Sequence, residues 1–414
     1  MGFFRFLRDN APFLTAGVLL SFTSSYGQTF FIALFAGGIM ADYGISNGTW
    51  GLIYTIATTA SALAMVWAGV LTDRFRVRHL TVGVAVLLAL SCLAMASVHG
   101  VVLLALTIFA LRLTGQGMMS QLSLVAMARW FKATRGRALS ISSMGFAIGQ
   151  AVLPVIFVAL LGVMGWRTLW IVAAGLVLLT IPVIYRLLKA ERTPQSVAET
   201  TASFGMEHRH WTRRDMLHHW LFWLMIPLLL GPPAWGTALF FHQVHMTEVK
   251  GWALADFVAL LPLFTAVSIA CTFTAGALID RFGSARLIQV YLVPYGLAFF
   301  VMWQAETLWG AAAAMMLFGL GTGMQATVPA AFWAEFYGTR HIGAIKALAA
   351  AVMVFGSAIG PGITGGLIDL GLSFPEQMPA IALYFAAAAL LTVVGIGRAR
   401  PALPRAPEVD VVRA

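Results

Sequence analysis

Apolar residues run along this chain in blocks of about two dozen, and the polar positions between them come in short clusters. About 20 apolar residues in a helix cross the hydrocarbon layer of a bilayer. Applied to this pattern, that length predicts twelve membrane-spanning helices, at 13–37, 50–71, 80–98, 101–127, 138–163, 167–188, 219–242, 254–279, 286–304, 308–333, 343–368 and 379–397. The long polar stretch between the sixth and seventh, Lys189 to His218, holds Glu191, Arg192, Arg213, Arg214 and Asp215 and reads as a linker. The pattern therefore divides the chain into a six-helix bundle over 1–188, a linker over 189–218, a second six-helix bundle over 219–398 and a tail over 399–414. Residues 1–12 lead into the first apolar run without a small-residue cleavage site, so that run is expected to stay as a span.

Composition makes lipid the solvent. The chain is 60% hydrophobic and 10% charged, against about 25% charged in a typical soluble protein, which excludes a soluble enzyme and a disordered chain. The net charge of +10 is not gathered into a patch that would suit nucleic acid; the basic residues recur at the ends of apolar segments. Placing both termini in the cytoplasm puts 23 of the 26 Lys and Arg on the inner side, as the positive-inside rule requires. The outer loops then keep Arg167 and Lys250, and Arg112 falls within the fourth span. The expectation is a multi-pass protein of a bacterial inner membrane. Cys92 and Cys271 lie inside apolar runs and imply no disulfide framework.

An internal repeat refines the architecture. Gly69-Val-Leu-Thr-Asp73-Arg74-Phe75 recurs as Gly276-Ala-Leu-Ile-Asp280-Arg281-Phe282, an offset of 207 residues that also carries Gly136 to Gly343, Gly149 to Gly356 and Pro154 to Pro361. Two six-helix halves repeated in parallel are a transporter architecture, with the site between them near the bilayer midplane.

These residues resemble the major facilitator superfamily of secondary transporters, over essentially the whole chain. In the loop after the second span, Gly69, Asp73, Arg74, Arg78 and His79 match the family pattern, while Arg76 stands where glycine is expected. In the second half Gly276, Asp280, Arg281 and Gly283 match, and the distal arginine is displaced to Arg286. The resemblance implies an all-α membrane protein, two pseudo-symmetric bundles around a central cavity, working by rocker-switch alternating access. An Asp at one helix end accepts hydrogen bonds from another helix N-terminus, and neighbouring arginines can pair with carboxylates of the opposite half. Asp73, Arg74, Arg78, Asp280, Arg281 and Glu335 are therefore gating candidates, with simple topology anchors as the plainer reading of the arginines. Gly149 is followed by Gln150 rather than the proline of the family's span-five motif, so Gly145, Gly149, Gly356 and Gly360 read as packing and hinge points rather than as a mark of antiport.

Arg112 is the most informative candidate for the substrate site. An arginine near the bilayer centre costs about 2.5–3.5 kcal/mol on insertion scales, and its setting, Arg112-Leu-Thr-Gly115-Gln116-Gly117, resembles the superfamily's span-four arginine motif. Three readings stand: anchoring an anionic substrate through the guanidinium fork, tuning a proton site, or a structural arginine bonded to carbonyls and to Gln116 or Gln121. Ser24-Ser25-Tyr26-Gly27-Gln28-Thr29 is a polar break in the first span, where the resemblance turns Tyr26 and Gln28 toward the cavity; helix–helix hydrogen bonds are the alternative. The seventh span contains Gly231-Pro232-Pro233-Ala234-Trp235-Gly236, expected to interrupt the helix and to let Trp235 close over a substrate. Beyond it, His242 and His245 are candidates for proton coupling or for interfacial anchoring; no third ligand lies near in sequence, so metal is not expected. Gln325 parallels Gln116. The substrate-binding candidates are Tyr26, Gln28, Arg112, Gln116, Trp235, His242 and Gln325.

The function expected is secondary transport of a small organic solute. A lone central arginine resembles the monocarboxylate and oxalate–formate branch and points to a small organic anion; a larger, weakly charged metabolite, a vitamin such as riboflavin or a drug is the alternative. No Asp or Glu falls at mid-membrane, so a carboxylate relay has no support, and symport of a proton, antiport and facilitated exchange stay open. No phosphate-binding loop, zinc motif or nucleophile elbow occurs, which argues against a cofactor, a metal or an enzyme. A non-transporting sensor on the same scaffold is disfavoured by the short linker and tail. The partners expected are a small-molecule substrate and the bilayer, with no nucleic acid and a functional monomer.

Overall fold

The computed structural model of the protein describes residues 3–68, 71–131, 135–188, 204–338 and 340–403. Among them no strand occurs, and ten helices are long and apolar enough to cross a bilayer, with a bent pair as an eleventh. Span 1 is that pair, Arg5–Gly27 and Thr29–Tyr43, meeting at 47°. Asn47–Ala68, outside that count of eleven, takes the place of span 2 at 22 residues and is about 33 Å long. The others are span 3 Val77–Ser97, span 4 Val101–Met127, span 5 Arg137–Leu161, span 6 Trp166–Leu187, span 7 Trp220–Phe241, span 8 Leu254–Phe282, span 9 Ser284–Gln304, span 10 Leu308–Tyr337, span 11 Ala344–Asp369 and span 12 Phe374–Ala402. Large apolar side chains such as Trp67, Leu179, Phe273 and Leu383 stand on the outer surface, where lipid rather than water would meet them.

Spans 1 and 5, 3 and 6, and 2 and 4 pack together in the first half; 7 and 11, 9 and 12, and 8 and 10 do so in the second. Across the halves, span 2 lies on span 11 and span 5 on span 8. That exchange of partners is what a two-fold axis between repeated bundles produces. The repeat reaches single contacts: the Tyr43 hydroxyl donates to Val98 O at 2.6 Å, and 207 residues later Lys250 Nζ donates to Ala305 O at 2.8 Å. Gly44 and Gly251, also 207 apart, take positive φ at 61° and 69°. At Arg76 the symmetry is relaxed. Gly283 has φ 79°, whereas Arg76 has φ −64° and ψ 135°, extended backbone open to any residue.

The interruption expected in span 7 is not there: the helix Ile226–Phe241 runs through Pro232 and Pro233. Proline leaves the carbonyl four residues earlier without its amide donor. The Tyr291 hydroxyl supplies the bond missing at Leu228 O, 3.2 Å away, and Tyr384 donates to the adjacent Pro227 O at 2.7 Å. A neighbouring helix thus satisfies one of the two carbonyls that the prolines free, and the helix continues through them. Span 1 is the one that breaks. Ser24–Gly27 tightens into a 3-10 turn and Gln28 is extended, φ −86° and ψ 153°. Thr23 bonds back to Leu19 O at 2.7 Å and Ser24 to Ser21 O at 2.6 Å, side-chain competition of the kind that loosens a helix.

Of the linker, residues 189–203 lie outside the described residues. Its end is ordered: Thr212 and Asp215 form a capping box on the helix Arg213–His218, and the hydrogen bond from the Thr212 hydroxyl holds the Asp215 carboxyl below its usual range. Trp211 is buried edge-on to Tyr337 at the end of span 10.

Candidate functional site

Span 1 and span 4 touch backbone to backbone where the first is broken. A Cβ on Gly27 would lie 2.1 Å from Leu111 O, and one on Gly115 would lie 2.6 Å from the Gly27 Cα. Only a pair of glycines permits that approach. Span 4 widens into a π-helix over Arg112–Met119 at this contact, a distortion frequent at functional sites. Arg112 is 1% exposed. It donates from Nη1 to Gly27 O and to the Thr29 hydroxyl, both at 3.3 Å. Its guanidinium carbon lies 5.2 Å from the Tyr54 ring centre, and Tyr54 is in turn hydrogen-bonded to Thr29. No carboxylate among the described residues forms an ion pair with Arg112, and its Nε has no protein partner.

Two chambers share Arg112 and Gln116 as a common wall. The inner one, about 200 Å³, lies between the halves and draws on Gln28 and Thr29 of span 1, Gln150 of span 5, and Tyr295, Thr322 and Gln325 of the second half, with Phe146, Phe240, Phe264 and Phe318 as apolar walls. The Tyr295 hydroxyl donates to Gln325 Oε1 at 2.6 Å, which leaves the Gln325 amide nitrogen as a donor. The outer one, about 580 Å³, is a cleft between spans 2, 4 and 11. Gln28, Arg112, Gln116 and Gln325 are thus brought together. Tyr26 is not: it is 1% exposed and packs edge-on to Phe31 in the aromatic core of the first half. Trp235 packs edge-on to Tyr384, away from both chambers. His242 is buried between Phe241 and Phe374, with Nε2 donating to Pro361 O at 3.2 Å. His245 Nε2 accepts from the Phe374 amide at 3.4 Å. Burial pushes the His245 imidazole below its ordinary range.

The chambers are shut at the end remote from the Asp-Arg loops. Trp50 stacks on Phe241 at 5.4 Å and Tyr54 tilts against the same ring at 4.6 Å. Beyond this aromatic plug spans 2 and 11 meet through glycines: a Cβ on Gly51 would lie 2.4 Å from Pro361 O and one on Gly365 2.5 Å from Asn47 O. Ser46 donates to Asp369 at 2.6 Å, and the Thr55 hydroxyl to Ala358 O at 2.7 Å. Toward the Asp-Arg loops the cleft runs on past Met65, Leu124 and Ala347. Gly51→Leu, which forces the closed end apart, is expected to shift the protein toward the opposite-facing state. Spin labels on residues 46 and 369 should read a longer distance in the variant, and an unchanged distance would show that this contact does not hold the end shut.

Among the described residues, Arg78, Asp280, Arg281 and Glu335 show no hydrogen bond or ion pair across the halves. Glu335 accepts from Ser284, within its own half. Arg78 stacks on Tyr185 at 3.5 Å, also within its half. Asp280 and Arg281 are exposed at the end of span 8, with Arg281 over Phe282. The side chains of Asp73 and Arg74 lie outside the described residues.

Thr29, Tyr54, Gln150, Tyr295 and Thr322 belong to the site and were not singled out by sequence. Thr29 and Gln150 adjoin quoted motifs, so a signal existed for them. Tyr54, Tyr295 and Thr322 have none, since hydroxyl side chains are ordinary in membrane helices.

No curated protein sequence matches the chain. Among solved structures it is similar to a bacterial homologue of the human lysosomal transporter Spinster, inward-facing and unoccupied, at TM-score 0.71 and 15% identity over 96% of this chain and 98% of that one. The same homologue, inward-facing and occupied, matches at TM-score 0.66 and 17% identity over 94% of both chains. A mutant of the nucleoside transporter NupG matches at TM-score 0.70 and 12% identity over 93% and 99%. At these identities the likeness is one of fold. The profile of the Major Facilitator Superfamily matches residues 17–361, and the chain belongs to that family.

Proposed function

We propose that this transporter carries a small organic anion by rocker-switch alternating access, and that the conformation described here is open to the cytoplasm. One observation carries the reading: Arg112 is buried at the junction of both chambers, lacks a carboxylate partner among the described residues, and leaves Nε free. A guanidinium cannot shed its proton, and a buried unpaired charge is costly. An incoming carboxylate would supply the missing counter-charge in a bidentate geometry, while Gln28, Gln116 and Gln325 offer amide contacts. Binding of the anion would draw the halves together at the open end, where Asp73, Arg74, Arg78, Asp280, Arg281 and Glu335 gather as gating residues.

The reading is tested with purified protein in proteoliposomes, following uptake of labelled monocarboxylates and dicarboxylates beside riboflavin and a lipophilic cation. Saturable carboxylate uptake supports it, and uptake confined to the uncharged or cationic compounds overturns it. Asp73→Asn should slow turnover tenfold or more and leave carboxylate affinity within about twofold, because the gate acts on the rate of interconversion; unaltered turnover would remove Asp73 from the gate.

A further inference from the structure

Of the three helices that line the cleft below Arg112, span 2 adds the hydroxyls of Thr58, Thr59 and Ser61, and the other two are unlike. Span 4 presents Gln116, Ser120 and Gln121 to it, continuing the helix face below Arg112. Span 11 presents Ala347, Ala350, Ala351, Val354, Phe355 and Ala358. Their steps of three, four and seven place them on one face of that helix, and at four of the six positions the side chain ends at Cβ. Two buried polar atoms of the cleft lack a protein partner, Arg112 Nε and Thr58 Oγ1. A volume of about 580 Å³ is what a drug-sized ligand fills. A two-carbon acid would satisfy the guanidinium and leave the apolar wall facing water.

Resting on the organic-anion reading, we propose that the cargo is an amphipathic monoanion, with its charged head on Arg112 and its apolar body against the alanine face of span 11. The polar edge of the cleft on span 4 and the apolar face opposite it then meet the two sides of one molecule. A soluble alkyl or aryl acid and a fatty acid from the bilayer share this chemistry, and chain length separates them.

The experiment is calorimetric titration of the full-length protein in nanodiscs with saturated monocarboxylates from two to sixteen carbons. Each methylene that enters the apolar wall should raise affinity about fourfold, so octanoate should bind at least a hundredfold more tightly than acetate. A plateau at intermediate length would identify a soluble acid, and a rise continuing to sixteen carbons one drawn from the membrane. Ala351→Phe should weaken octanoate tenfold or more and leave acetate within twofold. Ala350→Ser and Ala351→Ser, which add polarity with little bulk, should move the long acids in the same direction, so the test does not hang on whether phenylalanine is accommodated. Affinity independent of chain length, or variants that weaken acetate and octanoate alike, would overturn the amphipathic assignment and leave the organic-anion reading standing. Absence of binding by acids of every length would instead overturn that underlying reading.

Discussion

Arg112→Gln is expected to abolish carboxylate binding while leaving the unliganded protein as stable as the wild type, or slightly more so. The charge-assisted contacts a carboxylate makes to a guanidinium contribute about 1.5–3 kcal/mol each, so losing a bidentate pair should cost at least a hundredfold in affinity. The stability side runs the other way. Burying the arginine costs about 2.5–3.5 kcal/mol. It recovers two hydrogen bonds at 3.3 Å, long for charged donors, and a cation–π contact at 5.2 Å that contributes about 1 kcal/mol. Those gains roughly match the cost, and glutamine keeps a donor for Gly27 O. Calorimetry with acids of graded length and thermal melting of both proteins provide the check. Arg112→Lys, which keeps the charge without the fork, should retain weakened binding. If the glutamine variant melts far below the wild type without ligand, the arginine is a structural brace, and the anion reading fails.

The fold was legible because lipid imposes a coarse rule. Every spanning helix must show about 20 apolar residues, and the 207-residue offset exposes the repeat without any contact being known. Positions chosen for polarity in apolar surroundings divided according to which way they face. Gln28, Arg112, Gln116 and Gln325 line the chambers, whereas Tyr26 and Trp235 turn into the packing of their own halves. An apolar run reports the depth of a residue and says little about its direction around the helix axis when nearly every face is apolar. The double proline of span 7 misled for a related reason. Its effect depends on Tyr291, which bonds the freed Leu228 O, a residue far away in sequence whose donor no local pattern could place. In span 1, by contrast, the agents of the break are local, and the Ser24–Thr29 run marked it.

Gly27→Ala and Gly115→Ala should each lower stability and weaken anion binding, although neither residue carries a functional group. At glycines such as Gly117 and Gly321 an added methyl meets a side chain that can turn aside. Here it meets backbone: 2.1 Å to Leu111 O from Gly27, and 2.6 Å and 2.7 Å to the Gly27 Cα and N from Gly115. Relief requires the two helices to part, since neither carbonyl nor Cα can rotate away, and overpacking of this kind costs about 1–3 kcal/mol or more. The parting also moves Gly27 O and Thr29, the two groups that hold Arg112, so the guanidinium loses its aim. The control lies in the same half. A Cβ on Gly83 or Gly175 meets nothing within 4 Å, and alanine there should be neutral or mildly stabilising because it favours the helix. Melting temperature and carboxylate affinity, measured together on the four variants, separate the outcomes. A loss of both at positions 27 and 115 alone means that the glycine contact sets the arginine. A fall in stability with affinity unchanged would mean that Arg112 is held by span 4 itself, and the broken first helix would then be a matter of packing rather than of binding.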